Sequence, residues 1–256
     1  MAFQNRRSRN PFMNENTFAR APRVGFGEEA MSVHGTVNKA FLLLVVMMVT
    51  ALWPWSMAAA GNLQAAGGLM EIGLIVGLVL ALIISFKPTT APYLSVPYAA
   101  VEGVVLGSIS AVFEQRYPGI ALEAVGATFT VAFVMLVLYR THLIRVTDRM
   151  RSVVMGATIG IVLLYAGAWI LSFFHYAVPF INGGAMGIGS GPLAIGFSVL
   201  VVGVAAFMLL LNFDLIERGA AGGAPQYMEW YGAFGLMVTL VWMYIQILTL
   251  LGQTRE

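Results

Sequence analysis

The sequence predicts an all-α membrane protein, a bundle of seven transmembrane helices, and three observations carry that expectation. The first is composition: 59% of the 256 residues are hydrophobic and only 10% are Asp, Glu, Lys or Arg. A water-soluble domain carries about 25% charged residues, so this chain cannot cover itself with a polar surface. The second is pattern, because the apolar residues stand in unbroken runs of about 20, the length that crosses a hydrocarbon core roughly 30 Å thick. Barrel strands would alternate with period two, and lipid admits no other backbone solution, so the runs read as helices. The third is the placement of Lys and Arg, which fall almost wholly on one side when the runs are threaded in turn.

Residues 1–37 form a polar arm rich in Asn, Arg and Phe, without periodicity and expected to be disordered. Arg6, Arg7, Arg9, Arg20 and Arg23 precede any apolar run, which is the wrong arrangement for a cleaved signal sequence. The transmembrane domain is expected over 38–251, followed by a short tail at 252–256. Its spans are Lys39 to Ala60, Leu69 to Phe86, Tyr93 to Phe113, Gly119 to Tyr139, Val153 to His175, Gly191 to Phe213, and Met228 to Leu251. Breaks fall at Gly61-Asn62, at Lys87-Pro88, at Gln115 to Gly119 and in the basic stretch from Arg140 to Arg151. The last two breaks are a Gly-rich linker from Ile181 to Gly191 and the segment from Gly219 to Pro225. In the first span Trp53-Pro54-Trp55 is expected to kink the helix or to end it early.

Alternate threading puts Arg6, Arg7, Arg9, Arg20, Arg23, Lys39, Lys87, Arg140, Arg145, Arg149, Arg151 and Arg218 on one side, and only Arg116 and Arg255 on the other. By the positive-inside rule the N-terminus is cytoplasmic and the C-terminus outside. Adding or deleting one span would scramble this segregation. Small residues four apart, Gly73 with Gly77, Gly103 with Gly107 and Gly156 with Gly160, suit close helix packing inside one bundle, with dimerisation as the alternative.

An ionisable group at bilayer depth costs at least about 2.5 to 3.5 kcal/mol and therefore needs a partner, a proton or water. Glu102, near the middle of the third span, has no basic residue at its depth. It is expected to be neutral and hydrogen-bonded, or to face a hydrated cavity or a cation. Asp214 and Arg218 are spaced to pair on one helix face, with a part in a gate as the sharper reading. Glu229, beside Trp230, opens the seventh span and suits a helix N-terminus. Two of these carboxylates brought together would hold one proton or one calcium ion. Asp214 and Glu229, both near the cytoplasmic face, are the pair placed to meet and hold calcium transiently, while Glu102 lies about half a bilayer away as a separate step on an ion path.

With no cysteine, disulfides, thiolate metal sites and iron–sulfur ligation are excluded. No zinc-hydrolase, P-loop or nucleophile-elbow motif occurs, and neither His142 nor His175 has a second His at ligand spacing, so no enzyme and no resident cofactor are expected. The basic arm is explained by topology and anionic lipid rather than by nucleic acid.

The run from Tyr98 through Glu102-Gly103 to Phe113-Glu114, followed by Tyr117-Pro118-Gly119-Ile120, resembles the bacterial branch of the Bax inhibitor-1 family. Leu138-Tyr139-Arg140, Ile144-Arg145-Val146-Thr147, Asn212 to Gly219 and Glu229-Trp230-Tyr231-Gly232 extend the resemblance over about residues 38 to 251. It implies a bundle with the last helix at its centre, a bacterial inner membrane, and passive, pH-sensitive leakage of calcium. In such proteins an acidic side chain on each of the last two helices is thought to share a proton. Asp214 matches the first. Counting back from Leu248 to Leu251 puts Thr239 at the second position, whereas aligning the Tyr244 segment puts Gln246 there, and neither ionises. A basic residue on the second helix is also missing, since Glu71 is that span's only charge. The expected function is a pH-sensitive cation leak controlled by membrane-embedded carboxylates. The alternative is a non-conducting regulator that binds other membrane proteins, such as a protease or secretion components. An intramembrane enzyme ranks last, because Glu102 has no catalytic partner at its depth.

Overall fold

A computed structural model describes residues 29–176, 178, 180, 181 and 189–255. Of the arm expected to be disordered over 1–37, residues 1–28 lie outside the described residues, as does the Gly-rich stretch at 182–188, while residues 33–37 are helical, contrary to that expectation. Among the described residues are seven helices, each long and apolar enough to span a bilayer. They are α1 (Val33–Ala59), α2 (Leu63–Phe86), α3 (Ala91–Arg116), α4 (Ile120–Arg140), α5 (Asp148–Phe173), α6 (Gly191–Ala221) and α7 (Tyr227–Gln253), with a 3-10 turn at Pro88–Thr90. The seven expected spans are all present, and most run longer than the apolar cores alone suggest.

Caps set the true ends. Ser32 caps α1, which starts at Val33, six residues before Lys39, and its hydroxyl accepts from the Gly35 N–H at 2.9 Å. Contrary to the early stop allowed at Trp53-Pro54-Trp55, α1 continues through Pro54 to Ala59. Gly61, at φ +83°, reverses the chain. Asn62 then caps α2 from Leu63, six residues ahead of the expected Leu69. The α3–α4 break is made by Glu114, whose carboxylate accepts from Gly119 N–H at 2.6 Å and Ala121 N–H at 3.2 Å. Thr147 caps α5. Helix α6 overruns its expected end at Phe213 by eight residues. At 31 residues and about 1.5 Å each it is roughly 46 Å long, more than the hydrocarbon core requires.

The chain divides into two compact units, residues 1–108 with 212–238 and residues 109–211 with 239–256. Helices α3, α6 and α7 contribute to both. The last helix is the most enclosed: 61% of its apolar stretch is buried, against 17% for α2 and α5. Large apolar side chains on the other helices, such as Phe41, Ile75 and Leu122, point outward, as lipid-facing residues do.

In the first unit the glycine pairs are packing surfaces. A Cβ on Gly73 would stand 2.6 Å from Val105 Cγ2, so α2 receives α3 there. A Cβ on Gly103 would overlap the Met47 carbonyl oxygen, and one on Gly107 would stand 2.8 Å from Pro54 Cγ. Gly107 thus lets α3 approach α1 closely at Ala51 and Pro54. Gly156 and Gly160, in the second unit, have open space where a Cβ would sit. Packing within one chain therefore explains two of the three pairs.

Candidate functional site

Three acidic side chains of the first unit, Glu102, Asp214 and Glu229, each stand in a different electrostatic setting. Glu102 lies eleven residues into α3, about 16 Å along its axis from Ala91. It is half-buried, and its Oε2 lies 3.3 Å from where a Cβ on Gly77 would be, so the α2 glycine leaves the room the carboxyl occupies. Tyr98, one turn earlier, supplies a hydrogen bond to it. The Tyr98 ring is itself fixed edge-on against Phe234, with centroids 5.1 Å apart. Among the described residues no cation pairs with Glu102. Tyr98 is a partner the sequence reading did not name, although the i, i+4 spacing within Val96-Pro97-Tyr98-Ala99-Ala100-Val101-Glu102 was the available signal.

Asp214 is buried on α6, with Arg218 Nε 3.0 Å from each of its carboxylate oxygens. The extension of α6 beyond Phe213 makes this possible, since both residues must be helical to meet at i, i+4. Nearby, the Asn212 amide donates to the Gly235 carbonyl at 3.4 Å, tying α6 to α7.

Glu229 departs furthest from expectation. It is 4% exposed and is held by the first helix rather than only by its own helix N-terminus. Its Oε1 accepts from the Ser32 N–H and the Ser32 hydroxyl, both at 2.8 Å, and its Oε2 pairs with the Lys39 ammonium. The ammonium also stands 5.5 Å from the centre of the Trp230 ring. A methyl group on Gly35 would overlap the Glu229 carboxylate, so that glycine is the seat of the carboxylate. The preceding segment is clasped too: Met31 N–H donates to the Ala224 carbonyl at 2.7 Å, and Gln226 donates to Glu29. The roles of Lys39 and Ser32 escaped the sequence, because nothing local links residues about 190 positions apart.

Thr239 and Gln246, the two candidate positions for a second family acid, are both buried on α7 in the second unit. Gln246 accepts a hydrogen bond from the Tyr165 hydroxyl at 3.2 Å. Among the described residues no three His, Asp or Glu side chains stand together as a metal site.

Seven apolar helices, a last helix more enclosed than the rest, and carboxylates set into that frame define a polytopic helical membrane protein. The chain belongs to the family described as Bax inhibitor 1 like, whose sequence profile matches residues 6–256. No curated protein and no solved structure matches it.

Proposed function

We propose that this protein is a pH-sensitive cation leak, with calcium as the ion and the embedded carboxylates as its control. The observation that carries the reading is Glu102: a carboxyl on an apolar helix, half-buried, hydrogen-bonded by Tyr98 and, among the described residues, without a paired cation. An ionised carboxylate there attracts a cation, and a protonated one does not, so the same side chain serves as binding step and pH sensor. Asp214 and Glu229 contribute as gate residues, each releasing its own cation, Arg218 or Lys39, if calcium is to be held transiently. The proposal places the protein in a bacterial inner membrane, N-terminus cytoplasmic, without enzymatic activity or resident cofactor. Calcium release from proteoliposomes across pH 5 to 8 tests it. Glu102→Gln is expected to flatten the pH dependence and Asp214→Asn to change the rate; release by both variants at the wild-type rate throughout would overturn the reading.

One observation favours a second reading, a non-conducting regulator of other membrane proteins. Both Asp214 and Glu229 are already neutralised by cations of the same chain, whereas among the described residues no cation pairs with Glu102. Absence of flux, with co-purification of a membrane protein partner, would select that alternative.

A further inference from the structure

We propose that a crevice in the second unit, between α5, α6 and α7, binds an uncharged, carbonyl-bearing apolar molecule drawn from the membrane. The crevice measures about 420 Å³, within the range of small-molecule sites. Tyr165 and Trp169 on α5, Phe197 on α6 and Phe180 from the connector give it aromatic walls. Phe197 lies at the centre of that wall, meeting Tyr165 and Phe180 edge-on at centroid distances of 6.0 and 5.7 Å. Trp169 lines the crevice and is also exposed on the outer surface of its helix, so the mouth opens toward lipid.

The polar floor decides the ligand's chemistry. Among the described residues no acidic or basic side chain lines the crevice, so a charged ligand finds no counter-ion there. Gln246 is 6% exposed and spends its carbonyl oxygen on the Tyr165 hydroxyl. Among the described residues its amide nitrogen has no hydrogen-bond partner. Gln246 lines the crevice and its nitrogen is not sealed inside the protein, so a carbonyl oxygen entering the crevice can accept from it where water is scarce. A carboxylate at this position would offer acceptors only; the amide is what gives the floor a donor. The neighbouring Gln253 is fixed from below, its carbonyl oxygen accepting from the buried Ser198 hydroxyl at 2.8 Å. An aromatic cleft opening to lipid, with a neutral donor at its base, fits a carbonyl attached to an apolar body. The acyl ester of a membrane lipid and a quinone both have that chemistry. Neither the site nor its test involves ion conduction.

Photolabelling tests the proposal on the full chain in vesicles of phosphatidylcholine that carries a diazirine beside the acyl carbonyl. Labels are expected on α5, α6 and α7 peptides containing Tyr165, Trp169, Phe197 and Gln246. Gln246→Leu, which keeps the volume and removes the donor, is expected to reduce labelling about fivefold, the worth of one neutral hydrogen bond. Ala168→Phe, which fills the cleft, is expected to abolish it. Gln246→Met provides a second donor-free variant, and melting temperature and monomeric elution establish that each variant is folded. Label displaced by a short-chain benzoquinone assigns the cleft to quinones, and label that resists displacement assigns it to lipid; both uphold the site. Label spread evenly over the lipid-facing helices, unchanged in folded Gln246→Leu protein and unaffected by the quinone, would overturn it.

Discussion

Removing the Glu229 carboxylate should cost this protein much of its stability, and removing Lys39 at the same time should return part of it. The Glu229 side chain is 5% exposed and that of Lys39 21%. Breaking a buried ion pair by deleting one partner costs about 3–5 kcal/mol, because the other charge is left uncompensated. Glu229→Leu falls at the lower end, about 3 kcal/mol, since the Lys39 stem can carry its ammonium toward water and the Trp230 ring retains part of the attraction. Lys39→Met leaves a carboxylate still served by two Ser32 donors, for a loss of about 2 kcal/mol. In the double variant no charge is stranded, and what remains is chiefly the unsatisfied Ser32 N–H and some repacking, again about 2 kcal/mol. The two single losses sum to about 5 kcal/mol, so the cycle should show a coupling of about 3 kcal/mol. Unfolding by SDS titration in mixed micelles, together with thermal melting of the purified protein, measures all four corners. Single variants within about 0.5 kcal/mol of wild type, or a double variant that is simply additive, would refute the argument that this pair fastens α1 to α7.

The other expectations are more local. Gly103→Ala pushes a methyl group into the Met47 carbonyl and should destabilise by about 1–3 kcal/mol, whereas Gly156→Ala, with open space, should be neutral or stabilise by up to about 1 kcal/mol; melting temperatures separate the two. Arg218→Ala removes the partner of Asp214, but the Arg218 side chain is 55% exposed, so the loss should be only about 0.5–1 kcal/mol and should shrink in high salt. In flux assays Glu102→Gln is expected to flatten the pH profile, as set out above, and Tyr98→Phe, which removes the hydrogen bond from the carboxyl, should displace that profile along the pH axis while leaving it intact.

The spans were legible because each is a run of side chains that no aqueous surface would tolerate, and that signal is local. Their ends were not, because they depend on single caps. Asn62 and Ser32 each add six residues to a helix outside its apolar core, and α6 continues past Phe213 through Asp214 and Arg218, which are polar but helical. The kink or early end allowed at Trp53-Pro54-Trp55 rests on a local cost, whereas the seating of Pro54 against Gly107, more than fifty residues on, is a tertiary contact. The same division holds at the acids. That no basic residue stands at the depth of Glu102 is an expectation from placing the charges along the spans, and the Asp214–Arg218 contact follows from helix periodicity. The union of Glu229 with Lys39 and Ser32, and of Gln246 with Tyr165, requires tertiary packing, which no spacing in the sequence encodes.

The bond between Lys39 and Glu229 also imposes an order on biosynthesis. The two residues lie 190 positions apart, and ribosomes add about 5–20 residues per second. A newly inserted first helix therefore carries an unmatched positive charge for roughly 10 to 40 seconds, until the seventh emerges. Only a completed chain can neutralise that lysine. An assembly stalled after six helices would still lack the carboxylate that pairs with it.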